Sequence, residues 1–223
     1  MKRVSIVAGY QSQVDMTVEF LDNLQATCTG DYIFEMILVN AGCPNKIVHP
    51  FITRRIDLPV NISFANTMNI GMRATHGDYV IVMNNDAFPQ PGWIDTLIRF
   101  QNETDAWVVS PEVSSPRLDS IGKHFRLTKH DGYEVVLMYP AVCWMMPRTT
   151  MVLVGYFDER FVPTMFEDND YATRVLNEGG KMIVVTDCQV EHRRSVENKA
   201  NIGTDLGRVY AENERRFKEK WGL

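Results

Sequence analysis

Between Arg3 and Ser110 the chain alternates short apolar runs with stretches of helical spacing, and that alternation narrows the possible folds sharply. Arg3–Ala8 reads as a strand, followed by Val14, Val18, Leu21 and Leu24 at helical spacing. Phe34–Asn40 is a second strand, almost wholly apolar from Met36 to Val39. Phe64, Met68 and Met72 mark a helix that Gly77 helps end, and Tyr79–Met83 is a strand of Tyr, Val, Ile, Val and Met. Gly92–Asn102 is a helix with Trp93, Ile94, Leu97 and Ile98 on one face, and Ala106–Ser110 is a further strand. Strands this apolar are buried on both faces, which predicts a mostly parallel sheet covered by helices.

Beyond Ser110 the pattern loosens. Pro111–Tyr139 reads as loops with one hairpin around Asp131-Gly132, Thr149–Val154 and Asn169–Glu178 as helices, and Met182–Val185 and Gln189–His192 as two short strands. A last helix from Leu206 to Trp221 carries Val209, Tyr210, Asn213, Phe217 and Trp221 on one stripe. With 223 residues, 45% hydrophobic, and no linker, the chain is expected to form one α/β domain. Residues 1–110 read as a nucleotide-binding half and 111–223 as an acceptor-shaping, catalytic half. A net charge of −5 argues against general affinity for nucleic-acid backbones. The basic candidates are Arg193-Arg194 and the tail residues Arg208, Arg215-Arg216, Lys218 and Lys220, and the tail also carries Glu212, Glu214 and Glu219, as on a solvated helix. The four cysteines have no Cys-x-x-Cys spacing, which disfavours zinc and suits a reducing compartment. No run approaches a membrane span, and the expected location is cytoplasmic.

In a sheet of this kind ligands bind beyond the carboxyl ends of the strands. Three strand ends are polar or tight: Gly9-Tyr10-Gln11, Asn40-Ala41-Gly42 and Asn84-Asn85-Asp86. Neither a Gly-x-Gly-x-x-Gly after the first strand nor a P-loop is present, which disfavours dinucleotides and P-loop phosphate binding. Asn84-Asn85-Asp86 reads either as a polar turn that starts the next helix or as the place where Asp86 ligates Mg²⁺ or Mn²⁺ bridging a diphosphate. His192, either structural or a further ligand, tilts such a site toward Mn²⁺. Glu167-Asp168-Asn169-Asp170 reads either as the acidic first turn of a helix or as the source of a general base for a sugar hydroxyl. Trp144 is either core or a platform against which an acceptor sugar stacks.

Taken in order, these pieces resemble family 2 glycosyltransferases of the GT-A fold, close to the rhamnosyltransferase-like members. The resemblance is carried by Val4-Ser5-Ile6-Val7, Val39-Asn40-Ala41-Gly42-Cys43, and Ser63-Phe64-Ala65 through Asn69-Ile70-Gly71 to Gly77-Asp78-Tyr79. It continues in Met83-Asn84-Asn85-Asp86 with Pro91-Gly92-Trp93, in Gly155-Tyr156-Phe157-Asp158-Glu159, in Glu167-Asp168-Asn169-Asp170 with Arg174, and in Phe217…Lys220-Trp221-Gly222. It implies a Rossmann-like single domain and inverting, metal-dependent transfer from a nucleotide diphosphate sugar. Carried over by position, Asp86 and His192 hold the metal, Mn²⁺ or Mg²⁺, and Asp168 is the base. Ala8, Tyr10, Asn40, Asn69, Asp78 and Asn85 lie along the nucleotide, and Trp144, Glu167 and Asp170 face the acceptor. Asn40, standing where the family has Asp, favours UDP- or dTDP-sugars over GDP-sugars. The acceptor is a hydroxyl of a glycan, glycolipid or other molecule, a nucleic acid included. Two further readings fit the residues: a nucleotidyltransferase that makes nucleotide sugars, and a non-catalytic nucleotide- or glycan-binding module.

Overall fold

The computed structural model describes residues 1–114, 125–193 and 205–223. Part of the loop-rich stretch, residues 115–124, and Arg194 of the basic pair lie outside the described residues. In chain order the elements are β1 (Lys2–Tyr10), α1 (Val14–Thr27), β2 (Tyr32–Ala41), β3 (Arg54–Leu58), α2 (Phe64–Arg73), β4 (Tyr79–Met83), β5 (Ala87–Pro89) and α3 (Trp93–Thr104). There follow β6 (Val108–Ser114), β7 (Arg126–Lys129), β8 (Tyr133–Val136), β9 (Cys143–Pro147), α4 (Arg148–Val154), α5 (Glu167–Asn177), β10 (Met182–His192) and α6 (Leu206–Trp221).

The strands form one sheet in the order β3-β2-β1-β4-β9-β6-β10-β8-β7, with β5 laid against the end of β10. β1, β2, β3, β4, β6, β7 and β10 run one way; β5, β8 and β9 run the other. The mostly parallel sheet flanked by helices is therefore the observed architecture. The apolar runs explain its interior: Val4, Ile6, Val7, Leu38, Val80, Ile81 and Val82 are all fully buried. Helix α2 lies on β1, β2 and β4 through Ala65, Met68 and Met72. Its start is capped by Ser63, whose hydroxyl accepts the Asn66 N–H at 3.0 Å.

Several elements differ from the sequence expectation, the short β5 among them. β9 is a central strand, paired to β4 from Tyr79↔Pro147 to Met83↔Cys143, although Cys-Trp-Met-Met-Pro shows no alternation to announce it. Being buried on both faces, it has none to show. β3 was not foreseen either; its Arg-Arg-Ile-Asp-Leu is an exposed edge strand whose pattern is mostly polar. Finally, Met182–Val185 and Gln189–His192 are a single strand, with a register shift between Val185 and Gln189 marking where the sequence looked broken. The hairpin at Asp131-Gly132 is present as β7–β8.

Candidate active site at the strand tips

The carboxyl ends of β1, β2, β4, β6 and β10 lie along one edge of the sheet, and the start of antiparallel β9 joins them there. β5 is what gathers the acidic turn to the far strand. It runs antiparallel to the end of β10, with Ala87 opposite His192 and Phe88 opposite Glu191. The Arg193 N–H donates to the Asp86 carbonyl at 2.9 Å and closes the pairing. Residues more than a hundred positions apart are thereby held side chain to side chain.

Asp86 Oδ1 and His192 Nε2 stand 3.1 Å apart, with both side chains nearly buried. Asn84 Nδ2 lies 3.5 Å from the same imidazole nitrogen. Its neighbour Asn85 instead points inward, donating to Thr17 Oγ1 at 2.9 Å and tying the turn to α1. The ring's other nitrogen, Nδ1, is buried without a partner. Two tautomers are open to a neutral imidazole, and each leaves a cost. A proton on Nε2 bonds Asp86 but strands Nδ1 as a bare acceptor. A proton on Nδ1 turns the Nε2 lone pair onto the carboxylate. A divalent cation between them removes that repulsion, so a carboxylate oxygen and an imidazole nitrogen converging here fit two donors of a Mn²⁺ or Mg²⁺ site. Among the described residues no third His, Cys, Asp or Glu joins them to complete a protein-only cage. The remaining positions suit water and phosphate oxygens.

Asp168 reaches the same edge through the segment before β9. The Val142 carbonyl accepts the Asn84 N–H at 2.9 Å. One residue earlier, the Ala141 N–H donates to the Asp168 carboxylate, which also takes the Asn169 N–H at 2.8 Å. Burial raises the Asp168 carboxyl above its ordinary range, and those two N–H donors pull it back. Glu167 beside it is pushed up to about 8, by burial first and by the Asp168 charge second. Its Oε2 is buried without a partner, and its Oε1 has only a long 3.4 Å bond from Thr164 Oγ1 besides backbone N–H groups.

Several expected site residues are placed otherwise. Trp144 is fully buried, stacked near Phe157 with ring centroids 6.2 Å apart, so it has no face for an acceptor sugar. Asp170 is also fully buried; it binds Arg174 Nε at 2.9 Å, Trp221 Nε1 at 3.1 Å and Lys220 Nζ at 2.6 Å, which makes it a structural anchor. Asn69 spends its amide within the fold, donating to the Phe157 carbonyl and accepting the Phe157 N–H. Asp78 precedes β4 and takes the Arg3 N–H at 2.8 Å, at the sheet edge opposite the strand tips. Ala8 is buried mid-strand in the pairing with Leu38, and the Tyr10 hydroxyl is committed to Asn45 and Ile47. Asn40 is nearly buried, with Oδ1 accepting the Cys43 N–H at 2.7 Å and Nδ2 donating to the Cys43 carbonyl and Asp57. Its amide oxygen already accepts one hydrogen bond and is nearly buried, so a base could reach only its second lone pair. Gly42, at φ 85°, makes that turn possible, since a Cβ there would stand 2.9 Å from Val60 Cα.

In the sequence Asn84 reads only as part of its turn, with no role of its own, and the Ala141–Val142 backbone is not read at all. Asn84 had a signal, its place in the acidic turn. The backbone groups of 141 and 142 had none, because any residue supplies them.

The comparisons decide the family. The model of glycosyl transferase family 2 matches residues 6–151, more than half the chain. The chain belongs to glycosyl transferase family 2. Among solved structures it is similar to GalNAc-T7 with UDP, GalNAc and Mn²⁺, at TM-score 0.71 and 10% identity over 86% of this chain and 44% of that one. It is similar also to the mannosyltransferase PcManGT from Pyrobaculum calidifontis in complex with GDP-Man and Mn²⁺, at TM-score 0.66 and 16% identity over 85% of this chain and 56% of that one. A third is S. aureus TarS 1–349, at TM-score 0.63 and 13% identity over 84% of this chain and 60% of that one. The family 2 chain thus spans about half the length of these structures, and at such identities they share its fold. No curated protein matches significantly. No helix among the described residues is long and apolar enough to cross a membrane.

Proposed function

We propose that this family 2 chain is a metal-dependent, inverting glycosyltransferase, rhamnosyltransferase-like in type, that moves a sugar from a nucleoside diphosphate sugar to an acceptor hydroxyl. The observation that carries the reading is the convergence of Asp86 and His192 at 3.1 Å on the edge that Asp168 reaches through Ala141 and Val142. Asp86 and His192 would hold Mn²⁺ or Mg²⁺, which when bound neutralises charge developing on the diphosphate. Asp168 accepts the proton of the attacking hydroxyl, and a single in-line displacement inverts the anomeric carbon without a covalent intermediate. The raised Asp168 carboxyl makes it a stronger base than an exposed aspartate. Glu167 lies beside it as a mostly neutral acid at pH 7, able to donate a hydrogen bond to the acceptor. Solved structures of similar fold that hold a sugar nucleotide or UDP together with Mn²⁺ support the donor class. Asn40 keeps one acceptor position for a uracil or thymine N–H, and UDP-, dTDP- and GDP-sugars all belong in the donor screen. A glycan, glycolipid or other hydroxyl is the acceptor, and the cytoplasm is the proposed location.

Calorimetric titration of UDP, dTDP and GDP with Mn²⁺, then with chelator, tests the donor site. Affinity should fall by about tenfold or more without the cation, and Asp86→Ala should abolish the difference. Equal affinity with and without Mn²⁺ in the wild type would overturn the reading.

A further inference from the structure

The apolar stripe of α6 contains one amide, Asn213, and it is fully buried. Its Nδ2 donates to three backbone carbonyls of one short stretch: Val162 at 3.2 Å, Thr164 at 2.8 Å and Met165 at 3.1 Å. Its Oδ1 accepts from Arg216 Nη1 at 3.0 Å, which fixes the amide's orientation. The stretch so held is strained. Met165 and Phe166 both have positive φ, 81° and 72°, a conformation bulky side chains rarely adopt and that the surroundings must impose. Phe166 is gripped by α6 as well, with its ring 5.0 Å from Tyr210 and 5.6 Å from Phe217. Directly after this pair come Glu167 and Asp168.

A buried amide on an apolar stripe is expensive unless every hydrogen bond is made. Here the amide meets two carbonyls just before the left-handed pair and one within it. The two peculiarities therefore explain each other. The strained turn sets the direction in which α5 starts, and the first turn of α5 carries the carboxylate that Ala141 meets.

We propose that Asn213 is a positioning residue: by holding the 162–165 carbonyls it imposes the Met165–Phe166 turn and so sets the place of the Asp168 carboxylate at the strand tips. This rests on the reading of Asp168 as the base, but the turn's geometry can be read without any transfer reaction. α6 is then a strap across the base-bearing helix. Trp221 and Lys220 fasten its other end to Asp170.

The test compares wild type, Asn213→Ala and Val209→Ala by NMR titration of the Asp168 carboxyl carbon, alongside melting temperature and Mn²⁺–nucleotide affinity. Val209 is buried on the same helix but has no side chain that donates to the 162–165 carbonyls. Both variants should melt lower. Only Asn213→Ala should displace the carboxylate and move the Asp168 midpoint by about half a pH unit or more, down where water entry dominates and up where loss of the Ala141 N–H does. Nucleotide affinity should stay within about twofold, because Asp86 and His192 lie on other elements. With an acceptor in hand, kcat should drop roughly ten- to a hundredfold while donor KM holds. Should Asn213→Ala not fold, Asn213→Ser, which keeps one donor, is read by the same criteria. An unchanged Asp168 midpoint in a folded Asn213 variant, or an equal shift in Val209→Ala, overturns the proposal. If the wild type transfers no sugar at all, the proposed function fails while the titration still decides the role of Asn213.

Discussion

Glu167 and Asp168 are adjacent carboxyls at the start of one helix, and two opposing effects act on them. The helix N-terminus favours negative charge by about 0.3–1 kcal/mol per group. Removal from water opposes it, and for Glu167 burial wins, since its carboxyl is pushed up to about 8. Above the ordinary glutamate value the unfolded chain releases this proton while the folded chain keeps it. Glu167 therefore costs stability progressively as pH rises from about 4.5 toward about 8. Glu167→Gln removes the cost. Its urea midpoint should match wild type near pH 4.5 and exceed it increasingly toward pH 8, and a difference that does not grow with pH would contradict a buried neutral acid. Asp168→Asn probes the other group. The amide keeps the shape and an oxygen that can accept the Asn169 N–H, so melting temperature and Mn²⁺–nucleotide affinity should barely change. Transfer should fall by roughly 10²–10⁴, the value of a positioned base. A variant within a few-fold of wild type in a steady-state assay would move the role elsewhere.

Elements are positioned by close contacts as much as by hydrophobic area. Helix α2 lies directly on β1 because Gly71 faces Val7: a Cβ on Gly71 would stand 2.3 Å from Val7 Cγ1 and 3.1 Å from Val39 Cγ2. Val7 and Val39 are buried, branched and stiff at χ1, so neither can swing aside. Gly71→Ala would gain about 1 kcal/mol in helix propensity. The clash should cost about 1–3 kcal/mol and outweigh it. The expected result is a lower denaturant midpoint at unchanged m-value, and a stabilised variant would show that α2 is looser on the sheet than the contact implies. The same helix carries Asn69, whose two bonds to Phe157 tie it to the segment leading toward α5. Strand β5 works in the opposite sense. Only three residues long, all of them buried, it acts through its pairing with β10, which sets Asp86 against His192.

Across the whole molecule, what was legible in the sequence is what depends on local pattern. Apolar runs and helical spacing announced β1, β2, β4, α2, α3 and α6, because burial on both faces and a 3.6-residue stripe leave their mark on every few residues. The ordered motifs announced the family, which the match over residues 6–151 shows. They also named Asp86, His192 and Asp168, residues whose side chains the structure brings to one edge. What the sequence left undetermined is what depends on partners far along the chain. β9 has no periodicity because it is buried between β4 and β6, and its place is known only once both are paired with it. Asn40, Asn69, Asp78 and Asp170 look like ligand-binding groups in one dimension. Yet Cys43, Phe157 and Arg174 with Trp221 already hold Asn40, Asn69 and Asp170 in three, and Asp78 lies beside Arg3 at the opposite edge of the sheet. Trp144 could have served as core or platform, and its burial against Phe157 decided for core. A residue's type and spacing are local and thus written in the chain. Whether its polar atoms or its apolar face remain free for a ligand is set by what the rest of the fold has already placed against them, and only the tertiary structure decides that.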